Sequence, residues 1–192
     1  MQGENIMYKV CRTEQSIQRQ RSLEQELLKM MLTGSYEDIS TSDFCDRMEI
    51  PRKAFYRYFS GKEGALYALI DHTMMDFYAV DTHSLDTGTP RGDLQRFFTF
   101  WYDHRQLLDA LSRNGLSGVL INRATVLVRQ ESLISKTILS GESVRRELEL
   151  TFALCGLMSM ILRWHEMGFP ITDREMAETA MGMLSRPLFR IL

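Results

Sequence analysis

The chain has 192 residues, a formal net charge of −2, 44% hydrophobic residues and 25% charged residues. That is the length of one medium domain, or of a small domain joined to a larger one, and the composition excludes a disordered or fibrous chain. A near-neutral total excludes a uniformly basic nucleic-acid binder of the histone kind, but leaves room for a local basic surface. The longest near-continuous apolar run, Phe152 to Leu162, is interrupted by Ser159. It falls well short of the roughly 20 residues needed to cross a bilayer, so no membrane partner is expected. Met1 to Cys11 holds no hydrophobic stretch, so no signal peptide is expected. Cys11, Cys45 and Cys155 are scattered and odd in number, which suits free thiols in a reducing cytoplasm.

Prolines are sparse, helix formers abundant, and period-two alternation absent, so the chain reads as all-α with about nine helices. The first helix spans Gln15 to Leu32, with Ile17, Leu27, Leu28 and Met31 as its buried stripe and Thr33-Gly34 as its stop. Ser40 or Thr41 caps a short second helix reaching Met48, with Phe44, Cys45 and Met48 facing inward. Pro51 suits the first position of a third helix ending near Phe59. Ser60 and Glu63 have capping-box spacing and open a fourth helix to about Val80, with Leu66, Leu69, Ile70, Met74 and Phe77 on one face. Asp81 to Pro90 reads as a linker. Aromatic-rich Asp93 to His104, short Gln106 to Leu111, Leu120 to Leu133 and long Glu142 to Met167 follow, separated by loops at Ser112–Gly118 and Ser140–Gly141. Gly168 and Pro170 end the long helix; Thr172 and Glu175 form a second capping-box pair for the last one, which Pro187 ends or kinks.

The informative stretch is Thr41 to Lys62, two short helices separated by Met48-Glu49-Ile50 in a helix-turn-helix pattern. At about 100° per residue, Arg52, Lys53, Tyr56 and Arg57 fall within an arc of about 140°, while Pro51, Ala54, Phe55, Tyr58 and Phe59 fill the other side. Such a helix seats its apolar side on a small core and offers the other to a DNA major groove. There arginine and lysine pair with guanine or neutralise phosphates, and tyrosine hydroxyls bond phosphate oxygens. Between Arg47 and Lys62 five cations face one acid, Glu49, a local balance of +4 in a chain that is negative overall. A helix with one charged face is also the ordinary pattern of a solvated surface helix, so the charge pattern alone leaves both readings open.

The run Ala54-Phe55-Tyr56-Arg57-Tyr58-Phe59-Ser60-Gly61-Lys62-Glu63-Gly64-Ala65-Leu66 resembles the signature of the tetracycline-repressor (TetR/AcrR) family of bacterial transcription regulators. The resemblance covers roughly residues 15 to 70. It implies that residues 1–62 form a helix-turn-helix DNA-binding domain and residues 63–192 a helical ligand-binding and dimerisation domain. By position in the motif, it implies that Arg52, Lys53 and Ala54 approach base edges. It likewise puts Tyr56, Tyr58 and Lys62 on phosphates, and Thr41 and Ser42 on the backbone or a base. Arg57 joins them on the cationic face. Two departures stand out: Glu49 takes a turn position that is often glycine, and Ala54 replaces a common threonine.

The resemblance also implies a homodimer. The penultimate helix is apolar almost all round and must be buried on several sides. A four-helix bundle between two copies would use Phe152, Leu157, Ile161 and Trp164 with Met176, Ala180, Met183 and Leu184; the alternative is that this is simply the central helix of its domain. Met74, Phe77, Phe97, Phe100, Trp101, His104 and Met158 are either the lining of a pocket for an unidentified small-molecule effector or plain core.

No Gly-rich phosphate loop, HExxH or nucleophile elbow occurs, and Cys155 lies in an apolar run, so catalysis is not expected. No metal spacing links His72, His83, His104 and His165, and neither metal nor cofactor is expected. The expectation is a cytoplasmic, ligand-responsive homodimeric repressor of a palindromic double-stranded DNA operator. The alternatives are an activator of the same fold, or a helical module whose basic face meets an acidic protein.

Overall fold

Nine helices, and no strand, form among the residues described by a computed structural model of the protein, which are 7–79, 89–134 and 141–184. They are α1 Glu14–Thr33, α2 Thr41–Arg47, α3 Arg52–Phe55, α4 Lys62–Ala79, α5 Pro90–Asp103, α6 Arg105–Arg113, α7 Ser117–Ile134, α8 Gly141–Glu166 and α9 Asp173–Leu184. The chain divides into two compact units, Met1–Met74 with Asp109–Leu116, and Met75–Leu108 with Ser117–Leu192. None of the described helices is long and apolar enough to cross a membrane.

In the first unit, Thr13 caps α1 by accepting from Ser16 N. The buried stripe of α1 is Leu23, Leu27, Leu28, Met30 and Met31, joined by two polar residues, Gln20 and Glu24. Ile17, expected in that stripe, is exposed; the first turns of α1 are uncovered, and burial begins at Gln20. Ser40 caps α2, and here the box closes with aspartate: Ser40 Oγ accepts from Asp43 N while Asp43 accepts from Ser40 N. The first turns of α4 bring Ala65, Leu66, Ala68, Leu69 and Ile70 into the same core. Asn114 ties in the Asp109–Leu116 segment, donating to Met31 O at 3.1 Å and to Ala110 O at 2.7 Å and accepting from Tyr36 N at 2.6 Å.

A polar cluster lies inside this unit. The fully buried Glu24 carboxylate sits 2.8 Å from His72 Nδ1 and 3.8 Å from Arg21 Nη1. Tyr8 donates its hydroxyl to the buried Asp71 carboxylate at 2.7 Å. These interactions join α1, α4 and the segment before α1, and burying carboxylates is tolerable only with partners of this kind.

In the second unit, α5 packs on α9 and α7 on α8. Pro90, expected in the linker, is the first residue of α5, where its missing donor costs nothing; Thr89 caps it by accepting from Gly92 N at 3.1 Å. The rest of the expected linker lies outside the described residues. The Thr172–Glu175 box forms as expected, Thr172 N donating to Glu175 at 2.8 Å and Glu175 N to Thr172 Oγ1 at 3.2 Å. Gly168 ends α8 at φ +76°, a conformation glycine adopts without a Cβ penalty, and Phe169 follows at φ +57°.

Candidate nucleic-acid interface

The expected helix over Pro51–Phe59 is shorter in the structure. Regular α-helix covers only Arg52–Phe55, Pro51 is its N-cap rather than its first residue, and 56–58 form a turn. Phe59 N still donates to Phe55 O at 3.2 Å, but Tyr58 N donates to the same carbonyl at 2.9 Å, one residue short of the α-helical register, so the regular ladder stops there; Tyr58 O accepts from Lys9 N at 2.7 Å. The two-sided division survives the shortening. Arg52, Lys53, Tyr56 and Arg57 are exposed, whereas Phe55 and Phe59 are buried and Ala54 and Tyr58 half-buried.

The platform beneath is aromatic. Phe55 meets Phe44 and Phe59 at ring-centroid distances of 5.2 Å each, and Tyr56 at 5.5 Å. The Phe44 and Tyr56 pairs are edge-on and the Phe59 pair tilted, and aromatic pairs of this kind add about 0.5–1.5 kcal/mol each to simple burial. Cys45 lies in the same core; burial first, and Asp46 after it, push its thiol above the ordinary range against the pull of Arg52, which leaves it unreactive.

Glu49, in the turn between α2 and α3, has φ +50°, the left-handed region that favours glycine. The side chain is exposed, so it meets no neighbour, but the backbone cost of a Cβ at this φ remains. Arg52 reaches back to α2, Nη2 donating to Ser42 Oγ at 2.8 Å. Thr41 and Ser42 are both half-buried at the start of α2.

Lys62 is committed elsewhere than to solvent. Its Nζ donates to Tyr36 O at 2.7 Å and Glu37 O at 2.9 Å and lies 4.6 Å over the Tyr36 ring. It ties the loop after α1 to the start of α4, with one ammonium donor left over. Burial, with Glu63 and Glu37 nearby, pushes the Tyr36 phenol well above its usual range. The Ser60–Glu63 capping box does not form. Ser60 Oγ donates to Met7 O at 2.9 Å, and Glu63 accepts from Tyr67 at 2.6 Å.

The segment 7–10 is the element that sequence reasoning missed. Tyr8 and Phe59 form an isolated antiparallel bridge, framed by Ser60 N donating to Met7 O at 2.8 Å and Lys9 N to Tyr58 O. A Cβ on Gly64 would stand 2.1 Å from Met7 O, so only glycine lets the strap cross α4 here. Gly64 in a helix's first turn is the sole local signal for it.

The residues expected at an effector pocket separate. Met74 is buried in the first unit. In the second, the Phe77 ring meets Phe97 at 5.6 Å and Phe100 at 5.4 Å, and both meet Trp101. The Arg96 guanidinium covers the Phe77 ring at 4.3 Å, and His104 stacks on Phe100 at 4.0 Å. Met158 is buried in the same unit. The rings are thus packed on one another.

The expected interface residues also divide. Phe152 is 60% exposed and Met183 43% exposed, and Leu157 is half-buried. Ile161, Trp164, Met176 and Ala180 are buried within the protomer, where α5 covers α9 and Trp164 packs against Phe98 and bonds Ile171 O; they are interior and not surface. The Leu184 side chain lies outside the described residues. No group of residues that could hold a metal ion occurs among the described residues.

By fold the chain is similar to the dihydroxyacetone kinase operon activator DhaS, with TM-score 0.54 and 14% identity over 88% of this chain and 94% of that one. A transcriptional regulator of the TetR/AcrR family from Thermobifida fusca YX-ER1 also matches, with TM-score 0.43 and 16% identity over 88% of this chain and 100% of the other. No family model matches the chain, and no curated protein matches it by sequence. The all-α fold is therefore shared with DhaS, at an identity that speaks for fold alone.

Proposed function

We propose that this chain is a sequence-specific DNA-binding transcription regulator of the TetR/AcrR type, a ligand-responsive homodimeric repressor. Residues 1–62 act as the reading head and residues 63–192 as the effector-binding and dimerisation part. The observation that carries the reading is the turn at 52–57. Arg52, Lys53, Tyr56 and Arg57 are exposed together over a buried Phe44–Phe55–Phe59 platform, and neither Lys53 nor Arg57 pairs with an acid among the described residues. Arg52 uses one of its five donors on Ser42, which leaves the others for a guanine edge.

A palindromic operator needs two such turns about 34–36 Å apart. In support of a dimer, α8 carries Val144, Leu148 and Phe152 at four-residue spacing, all exposed, an apolar stripe that a second copy would cover. An effector that favours one spacing of the two heads would shift operator affinity, typically by about 1–3 kcal/mol. If it enters at Phe77 and Phe100, it has to part rings that now touch.

Enrichment of binding duplexes from a randomised pool tests the reading. A two-fold symmetric sequence with half-site centres at that spacing is expected, and enrichment of none would defeat it. One observation favours activation in place of repression: a solved protein of similar fold, DhaS, is an operon activator. A reporter behind the enriched sequence, with and without the protein, separates the two by the sign of the change.

A further inference from the structure

Gln15, Gln18, Arg19 and Ser22 recur at helical spacing along one face of α1, and with Tyr58 they line an open polar groove of about 530 Å³. This face meets the reading turn through Tyr58, whose ring lies 6.2 Å from that of Phe59. The strap fastens that residue: Lys9 N holds Tyr58 O at 2.7 Å, and Gln20 Nε2 holds Lys9 O at 3.0 Å. The strap, α1 and the end of the recognition turn therefore form one wall.

The cations on this wall form no ion pair. Lys9, Arg12 and Arg19 pair with no acid among the described residues. Further along α1 the cations are paired, Arg21 with Glu24 and Lys29 with Glu26, which also takes Arg47 of α2. The acid nearest the groove on α1, Glu14, is engaged by Gln18 Nε2 at 2.8 Å. From Gln15 to Ser22 the helix rises about 10 Å, the axial length of about three phosphates on one DNA strand. A groove of this length, polar, open, with Arg19 as the charged residue of its lining and continuous with the cationic turn through Tyr58, fits a polyanion that runs past the turn.

We propose that this groove grips the DNA backbone beside the half-site that the recognition turn reads, with Arg19 on a phosphate and Gln15 and the Tyr58 hydroxyl as neutral donors. The inference rests on the DNA-binding reading above and extends it: the phosphate footprint of each head reaches beyond the bases it reads, and the strap is part of the reading head because it holds Tyr58 in the groove wall.

The test is the salt dependence of binding by the full chain to a duplex of about 40 base pairs carrying the enriched sequence. Arg19→Ala is expected to lower the log–log slope by about one unit for each phosphate that Arg19 neutralises, while Arg19→Lys retains it. Lys29→Ala, an exposed cation already paired with Glu26, is expected to leave the slope unchanged. Phosphate ethylation just outside the half-site should interfere with the wild type and not with Arg19→Ala. A wild-type slope for Arg19→Ala, with Arg52→Ala still losing discrimination, overturns the groove and leaves the regulator reading standing. Failure of the wild type to retain any duplex overturns both.

Discussion

Arg52 and Ser42 are joined across the turn by a 2.8 Å hydrogen bond, so the first residue of α3 is aimed by the helix that precedes it. Arg52→Ala is expected to cost about 1–3 kcal/mol on the enriched duplex and far less on a scrambled one, since a contact to a base edge discriminates and phosphate binding does not. Ser42→Ala keeps the guanidinium but frees it, and should lose part of the same discrimination. Fluorescence anisotropy on the two duplexes reads both. Equal losses on both duplexes for Arg52→Ala would remove it from base reading.

The left-handed Glu49 offers a stabilising substitution. An L-residue there costs about 1–2 kcal/mol relative to glycine, and glycine gives back about 0.5–1 kcal/mol through its freer unfolded chain. Glu49→Gly should therefore raise stability by about 0.5–1 kcal/mol. It also removes the one acid between Arg47 and Lys62 and so should tighten binding to any duplex. A lowered melting temperature would show that the Glu49 side chain contributes more than its backbone costs.

The cap of α2 predicts a pH dependence. The Ser40 hydroxyl, and after it the Ser40 backbone N–H, hold the Asp43 carboxyl below its usual range. A carboxyl lowered by folding contributes stability above its unfolded pKa, and that contribution is lost as pH falls through the folded one. The difference in melting temperature between wild type and Asp43→Ala should thus be full at about pH 7 and shrink steadily below about pH 4. A difference that does not change with pH would mean that Asp43 acts through packing rather than charge.

Phe152 tests the second copy. It is 60% exposed on α8, so Phe152→Glu should leave the protomer folded while placing a charge where the partner is expected. Sedimentation should then report monomers at concentrations where the wild type is dimeric, and operator affinity should fall because two linked heads become independent. Ile161→Glu is the contrast: that side chain is fully buried, so the same charge should unfold the protomer. A Phe152→Glu dimer indistinguishable from wild type would move the interface elsewhere.

Most of the fold was legible in the linear chain because helical periodicity and capping chemistry are local. The Thr172–Glu175 box, the Ser40 cap and the stop at Gly168 follow from residues a few positions apart, and each forms. The two-sided division of the 52–59 segment was equally legible, since which side chains share a face depends only on spacing. What escaped depends on partners far away in sequence. Ser60 has capping-box spacing with Glu63, yet its hydroxyl goes to Met7, 53 residues earlier. α3 ends at Phe55 rather than Phe59, with Tyr58 N turned to Phe55 O, and the Tyr58 carbonyl beyond it accepts from Lys9 in the strap. Ile161, Trp164, Met176 and Ala180 carry the same apolar character as Phe152, and only the packing of the second unit separates interior from surface. Residue type decides that a side chain prefers to leave water; which neighbour covers it is decided by the closure of the chain in three dimensions, where one carbonyl or one apolar face can satisfy only the partner that reaches it.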